Sequence, residues 1–167
     1  MTQQTTDYHW LIGGNLSDRL DYLARARALM AEQIGQILQT SGIYQTQAWG
    51  YTDQPDFLNQ AIITRSALPP QQAMQAALHI EQQLGRERHQ RWHERTIDID
   101  LIYAQDFCLE TPNLTLPHPR AHERRFVLVP LAEISPDFIH PIWHKSQAEL
   151  LQLCADTSAV ETFKLLI

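Results

Sequence analysis

The chain has 167 residues, a formal net charge of −6 and 44% hydrophobic content, which suits one domain, 1–167, with a sizeable core. The acidic balance argues against general nucleic-acid binding, whose affinity comes largely from positive charge, and no apolar run is long enough to span a bilayer. Residues 1–7 lack the basic-then-apolar pattern of a secretory leader, and Cys108 and Cys154 form neither a CxxC pair nor a disulfide framework, so a cytoplasmic protein, monomeric by default, is expected.

Residues 9–13 read as a short apolar strand running into Gly13-Gly14-Asn15-Leu16-Ser17-Asp18, where glycines permit a tight turn and Ser17 or Asp18 can cap a helix. No Gly-Lys-Ser/Thr follows, so this is not a P-loop. Leu20, Leu23, Met30, Ile34 and Ile37 recur at helical spacing and predict a helix over 19–34. Residues 37–47 are rich in β-branched and aromatic side chains and predict a strand. A loop follows over 48–55, then a strand over 57–65 with Phe57, Asn59, Ala61 and Ile63 on one side. The two strands suit an antiparallel pair. Asn59, unusual in a strand, is either a ladder-end residue or an amide that pairs with the edge of a heterocycle.

A second helix starts at Pro69-Pro70 and stops at Gly85, with Met74, Ala77, Leu78, Glu81 and Leu84 on one face. An acid on an apolar stripe either bridges to an arginine or faces a ligand at the core's edge. Residues 85–95 form a polar loop with Arg86, Arg88, Arg91 and Arg95, His89, His93 and Trp92, an aromatic that anchors the loop or covers a bound ring.

The stretch Arg95-Thr96-Ile97-Asp98-Ile99-Asp100-Leu101-Ile102-Tyr103 organises the chain. As a strand it puts Thr96, Asp98, Asp100 and Ile102 on one face and Ile97, Ile99, Leu101 and Tyr103 on the other. Two carboxylates on one face lie roughly 6 to 7 Å apart and repel unless a cation sits between them. An Asp-x-Asp pair alone reads as an arginine-paired surface feature. Here, however, seven of the eleven arginines fall between residues 86 and 125, with no lysine among them. Arginine grips phosphate oxygens bidentately, and Mg²⁺ commonly takes one or two carboxylates plus phosphate oxygens and water. Acids and arginines together predict a Mg²⁺-nucleotide site.

Residues 103–109 read as a turn and short return strand, and 114–120 as extended because prolines constrain the residues before them. Residues 122–131 look helical up to Pro130. The tail carries a short helix over 147–154 and no evident chemistry.

The motifs Gly13-Gly14-Asn15-Leu16, Gln54-Pro55-Asp56-Phe57-Leu58-Asn59, Glu81 with Gly85-Arg86-x-Arg88, and Trp92-x-x-Arg95-Thr96-Ile97-Asp98-Ile99-Asp100-Leu101 recur in one family. So do Leu116-Pro117-His118-Pro119-Arg120 and Arg124-x-Phe126-Val127-Leu128-x-Pro130-Leu131. Over residues 9–136 the chain resembles 6-hydroxymethyl-7,8-dihydropterin pyrophosphokinases of folate biosynthesis. The resemblance implies a ferredoxin-like α+β core, an antiparallel sheet flanked by helices. It also implies transfer of the terminal pyrophosphate of ATP to the pterin hydroxymethyl group.

By the same resemblance Asp98 and Asp100 hold two Mg²⁺ ions, with Arg86 and Arg95 as catalytic cations. Glu81, Arg86, Arg88, Arg95, His118 and Arg124 match ATP-binding positions. Thr46, Ala48, Trp49, Phe57, Asn59 and Phe126, with Asp98, match the pterin pocket. Pro119 and Ser17 depart from the family pattern. Rival readings are another Mg²⁺-dependent phosphotransferase or nucleotidyltransferase, and a noncatalytic nucleotide-binding module. Zinc binding by His89, His93, His118 and His122 is poorly supported because no cysteine accompanies them.

Overall fold

A computed structural model describes residues 4–16, 18–47, 55–85 and 96–164. In chain order its strands are β1 (Thr6–Gly14), β2 (Gln36–Thr40), β3 (Tyr44–Thr46), β4 (Phe57–Ser66), β5 (Asp98–Ala104), β6 (Leu109–Thr111), β7 (Leu114–Leu116) and β8 (Val160–Thr162). The helices are α1 (Arg19–Gln33), α2 (Pro70–Gln83), α3 (Arg125–Ile134) and α4 (Gln147–Leu153). The main sheet runs β5-β1-β4-β3-β8, with β2 also on β4, and every pairing is antiparallel. Taking β2 and β3 as one interrupted strand gives the βαββαβ order of a ferredoxin-like α+β fold. Strands β6 and β7 form a separate hairpin.

Apolar alternation assigns the two sheet faces. Tyr8, Trp10, Ile12, Leu58, Ile62, Ile99 and Leu101 point toward α1 and α2, where they join Leu23, Met30, Ala77 and Ile80 in the larger core. Leu11, Ala61, Ile63, Ile102 and Tyr103 point the other way and pack with Val127, Leu131 and Ile134 of α3. One helix layer therefore closes the first face and α3 closes part of the second.

The expected helices are present with small differences. Asp18 caps α1, accepting from the Asp21 N–H at 3.1 Å, and Gly85 stops α2 at φ +83°, a backbone region that suits glycine. The α2 stripe is rotated from the expected one, with Ala73, Ala77, Ile80, Glu81 and Leu84 buried and Met74 and Leu78 only half-buried. The strand expected over 37–47 is broken between β2 and β3. Ser41 there takes part in a side exchange with Ala61: its N–H donates to the Ala61 carbonyl and its Oγ accepts from the Ala61 N–H. Pro130 does not end the third helix, which continues to Ile134 because Val127, Leu128, Leu131 and Ile134 bury one continuous face. Residues 121–123 form a 3₁₀ turn ahead of it.

Tyr103 also departs from the face expected of it. The register shifts from Trp10↔Leu101 to His9↔Tyr103, which leaves Ile102 as an extra residue in β5. Beyond that bulge the faces exchange, so Tyr103 joins the α3 side rather than the side of Ile99. The bulge also turns the Ile102 carbonyl outward, where it accepts the His118 N–H at 2.9 Å. The tail supplies an unexpected strand, β8, which covers the β3 edge. No helix among the described residues is long and apolar enough to cross a membrane.

His9 lies between Tyr103 and Phe138, with ring centroids at 5.6 and 4.5 Å. Burial lowers its pKa to about 4, and the nearby Asp7 charge only partly opposes this. The folded state therefore favours neutral His9. Its contribution is full above the unfolded pKa near 6.5 and is lost as pH falls toward 4, about 3 kcal/mol in all. Urea unfolding of wild type and His9→Phe across pH 4 to 7 checks this: wild type should lose more stability than the variant on acidification, and parallel pH profiles would contradict it.

Candidate functional site

The register brings the sequence-expected acids and amide into one row. Tyr44 pairs with Asn59, Asn59 with Gly13 and Gly13 with Asp98, so these side chains share the α3 face across four strands. The next row on that face contains Ala61, Leu11 and Asp100. Asp98 and Asp100 are thus successive same-face residues of an edge strand, roughly 7 Å apart. Both are half-buried.

Gly13 sets the width of the row. A Cβ there would lie 2.2 Å from Asn59 Oδ1 and 2.8 Å from the Leu58 carbonyl oxygen. The Asn59 amide consequently leans over the glycine, toward the acid strand. Its Nδ2–H donates to Thr46 Oγ1 at 3.1 Å, which fixes the amide's orientation. Phe57 pairs with Thr46 at the end of the same face. Asn59, Thr46 and Phe57 therefore form one wall, about two strands from the acids.

The start of α3 brings a cation to the acids. Arg124 precedes the helix, with its guanidinium carbon 5.9 Å from the Phe126 ring centroid. Burial lowers the Arg124 pKa, while Asp100 and, less strongly, Asp98 act against that shift. The cation and the two acids thus share one electrostatic environment. Burial, followed by the charges of Arg124 and Arg120, lowers the His118 pKa to about 4. His118 is neutral near pH 7. Its Nδ1 accepts the Arg120 N–H at 3.2 Å, which leaves the ring proton on Nε2 as a donor.

Glu81 meets the acid strand at its backbone. It is 2% exposed, and its Oε2 accepts the Ile99 N–H at 2.7 Å from the α2 side. Because β5 is an edge strand, that N–H points away from the sheet. A backbone donor therefore supplies a partner that neither expected reading, arginine bridge or ligand contact, had included. The contact fixes the peptide between Asp98 and Asp100.

Two supports were missed by sequence reasoning. Glu133 of α3 accepts from Tyr44 Oη at 2.5 Å and from the Gly42 N–H at 3.2 and 3.0 Å, tying α3 to the strand that carries Thr46. Burial and the Glu133 contact raise the Tyr44 pKa to about 12, so its hydroxyl remains a donor. Asn15, 1% exposed, donates through Nδ2 to the Pro55 carbonyl at 2.9 Å and explains the asparagine of the Gly-Gly-Asn motif. Neither contact has a local sequence signal, because each joins residues far apart in the chain. Ala48, Trp49, Arg86, Arg88, Arg91, Trp92 and Arg95 lie outside the described residues, as do His89 and His93.

The sequence pattern of the 7,8-dihydro-6-hydroxymethylpterin-pyrophosphokinase (HPPK) family matches residues 10–136. A 2-amino-4-hydroxy-6-hydroxymethyldihydropteridine pyrophosphokinase of Synechocystis is 42% identical over 142 residues, covering 84% of this chain and 72% of the relative. The Bacillus subtilis protein of the same name is 42% identical over 124 residues, covering 74% of each chain. Among solved structures, Plasmodium falciparum HPPK-DHPS with pteroate superposes with a TM-score of 0.73 at 13% identity, over 92% of this chain. This chain spans 43% of that longer one.

Two substitutions test the geometry through stability. Gly13→Ala should cost about 1–3 kcal/mol by overpacking, and Glu81→Leu about 1–3 kcal/mol by leaving the Ile99 N–H without its carboxylate. Glu81→Gln, which keeps an acceptor, should cost clearly less than Glu81→Leu. Chemical denaturation checks all three, and wild-type stability for Gly13→Ala or Glu81→Leu would contradict the packing described.

Proposed function

The chain belongs to the 7,8-dihydro-6-hydroxymethylpterin-pyrophosphokinase family, and from that membership we propose that it moves the terminal pyrophosphate of ATP onto 6-hydroxymethyl-7,8-dihydropterin in folate biosynthesis. The pterin hydroxymethyl oxygen bonds to the β-phosphorus. The bond from that phosphorus to the oxygen shared with the α-phosphate breaks, the hydroxyl proton is released, and AMP and the pterin diphosphate leave. The observation that carries this reading is the common face: two acids on one side of Gly13 and the oriented Asn59 amide on the other.

In this reading Asn59 and Thr46 read the polar edge of the heterocycle, while Phe57 and Phe126 stack against its flat surfaces. Arg124 and the His118 Nε2–H meet phosphate oxygens, and neutral His118 donates without adding charge. Arg86, Arg88 and Arg95 would add cations on the nucleotide side. Ala48 and Trp49 would contribute to the pterin side. Glu81 would act near ATP chiefly by holding the Ile99 peptide.

The donor set suits Mg²⁺. Asp98 and Asp100 offer hard oxygen ligands on one face, and among the described residues no trio of His, Cys, Asp and Glu forms a complete protein cage. The remaining ligands would be phosphate oxygens and water, the arrangement Mg²⁺ favours. Two bound Mg²⁺ ions would neutralise charge on the phosphates during transfer. The chain's own residues supply position: β5 fixes the acids, α3 fixes Arg124, and Gly13 lets the Asn59 amide lie between its own strand and the acids.

Purified protein with Mg²⁺, ATP and the hydroxymethylpterin should release one AMP per pterin consumed, measured by chromatography of adenine nucleotides. ADP as the product, or AMP release independent of pterin, would contradict the proposal. Asp98→Asn and Asp100→Asn should each lower turnover by on the order of a hundredfold or more, with unchanged circular dichroism. Near-normal activity in both variants would remove the acids from the mechanism.

A further inference from the structure

The matched family region stops at residue 136, yet the following segment contacts both β3 and the start of α3. Strand β8 pairs with β3, placing Thr46 opposite Val160 and Tyr44 opposite Thr162. A few residues earlier, Asp156 reaches the start of α3: its Oδ2 accepts the Arg125 N–H at 3.0 Å. That helix has no side-chain cap from its own N-cap residue, Arg124. The first-turn acceptor therefore arrives from a position 31 residues away in sequence.

The carboxylate is itself held in place. Asp156 Oδ1 accepts from the Ser158 N–H at 2.9 Å and also from the Ser158 hydroxyl. With one oxygen fixed by its own turn, the other is directed at α3. The helix start it meets carries Arg124 and Phe126, one facing the acids electrostatically and the other forming the proposed aromatic wall. At the far end of the helix, Glu133 holds Tyr44 and Gly42. Both ends of α3 are thus tied to the β3-β8 side of the sheet. A free first turn would allow Arg125 and its neighbours to fray, since initial helix N–H groups have no intrahelical partner.

We propose that Asp156 is a positioning residue for the pterin pocket, acting as a distant cap that fixes the α3 start and hence Phe126. The inference rests on the reading of Phe126 as a pocket wall, and it assigns the C-terminal segment a part in substrate affinity. An acidic acceptor at this helix terminus also suits the local dipole, whereas an alanine supplies neither charge nor acceptor.

The test compares Asp156→Ala, Asp156→Asn, Phe126→Ala and the Asp156→Ala/Phe126→Ala double variant of the full chain. Amide hydrogen exchange without substrate is read at residues 125–128, alongside KM for the pterin and kcat. Asp156→Ala should speed exchange there by about tenfold or more and raise the pterin KM by about five- to tenfold, with kcat changed less. Asp156→Asn, which retains an acceptor, should stay near wild type in both. The double variant should match Phe126→Ala in KM, because the cap acts through that ring; a merely destabilising loss would add to it. Unchanged exchange in Asp156→Ala would overturn the cap, and faster exchange with an unchanged or fully additive KM would overturn the positioning role. If Phe126→Ala alone left KM unchanged, the pocket reading would fail, and with it the route assigned to Asp156.

Discussion

Two like charges two residues apart on an edge strand are the constraint on which the remaining site depends. Ile97, just ahead of β5, and the alternate residues Ile99 and Leu101 within it are buried in the larger core, so the strand cannot rotate to separate Asp98 from Asp100. Nor can it slide easily, because a one-residue slip would exchange buried and acidic faces. Glu81 pins its outer edge, and the bulge at Ile102 gives His118 a backbone anchor just beyond the acids. Core burial thus holds the two carboxylates side by side on one face, and the half-buried Arg124 shares their electrostatic environment.

The pocket follows from how a ferredoxin-like sheet is covered. Its first face is closed by α1 and α2, whereas α3 closes the second face over Ala61, Ile63, Ile102 and Tyr103. The row Tyr44-Asn59-Gly13-Asp98 lies toward the end of this face, where β1 terminates in glycines. The small residue between the amide and the acid lets the Asn59 side chain lie across β1 toward β5. The long-range ties of Glu133 and Asp156 then fix how closely α3 approaches this row.

Periodicity made much of this legible. Alternation in residues 57–65 identified the face that carries Phe57 and Asn59, and the same rule placed Asp98 with Asp100. The rule failed at Tyr103, since a bulge depends on the partner strand rather than on local sequence. Pro130 was a misleading stop because tertiary burial outweighed a local helix defect. The strand β8 was missed because Val160-Glu161-Thr162 is too short for a periodic signal and is stabilised by its pairing with β3. Glu81 was visible as an oddity on an apolar stripe, but its backbone partner could not be inferred before β5 was known to be an edge.

The most direct measurement is a calorimetric cycle for α,β-methylene ATP, with and without Mg²⁺, on wild type and on the Asp98→Asn/Asp100→Asn double variant. If the paired acids exist to be bridged by metal, Mg²⁺ should strengthen nucleotide binding to wild type by tenfold or more, and this gain should vanish in the variant. An equal Mg²⁺-dependent gain in both proteins would contradict the account, because the two carboxylates would then contribute nothing to holding the metal-nucleotide complex.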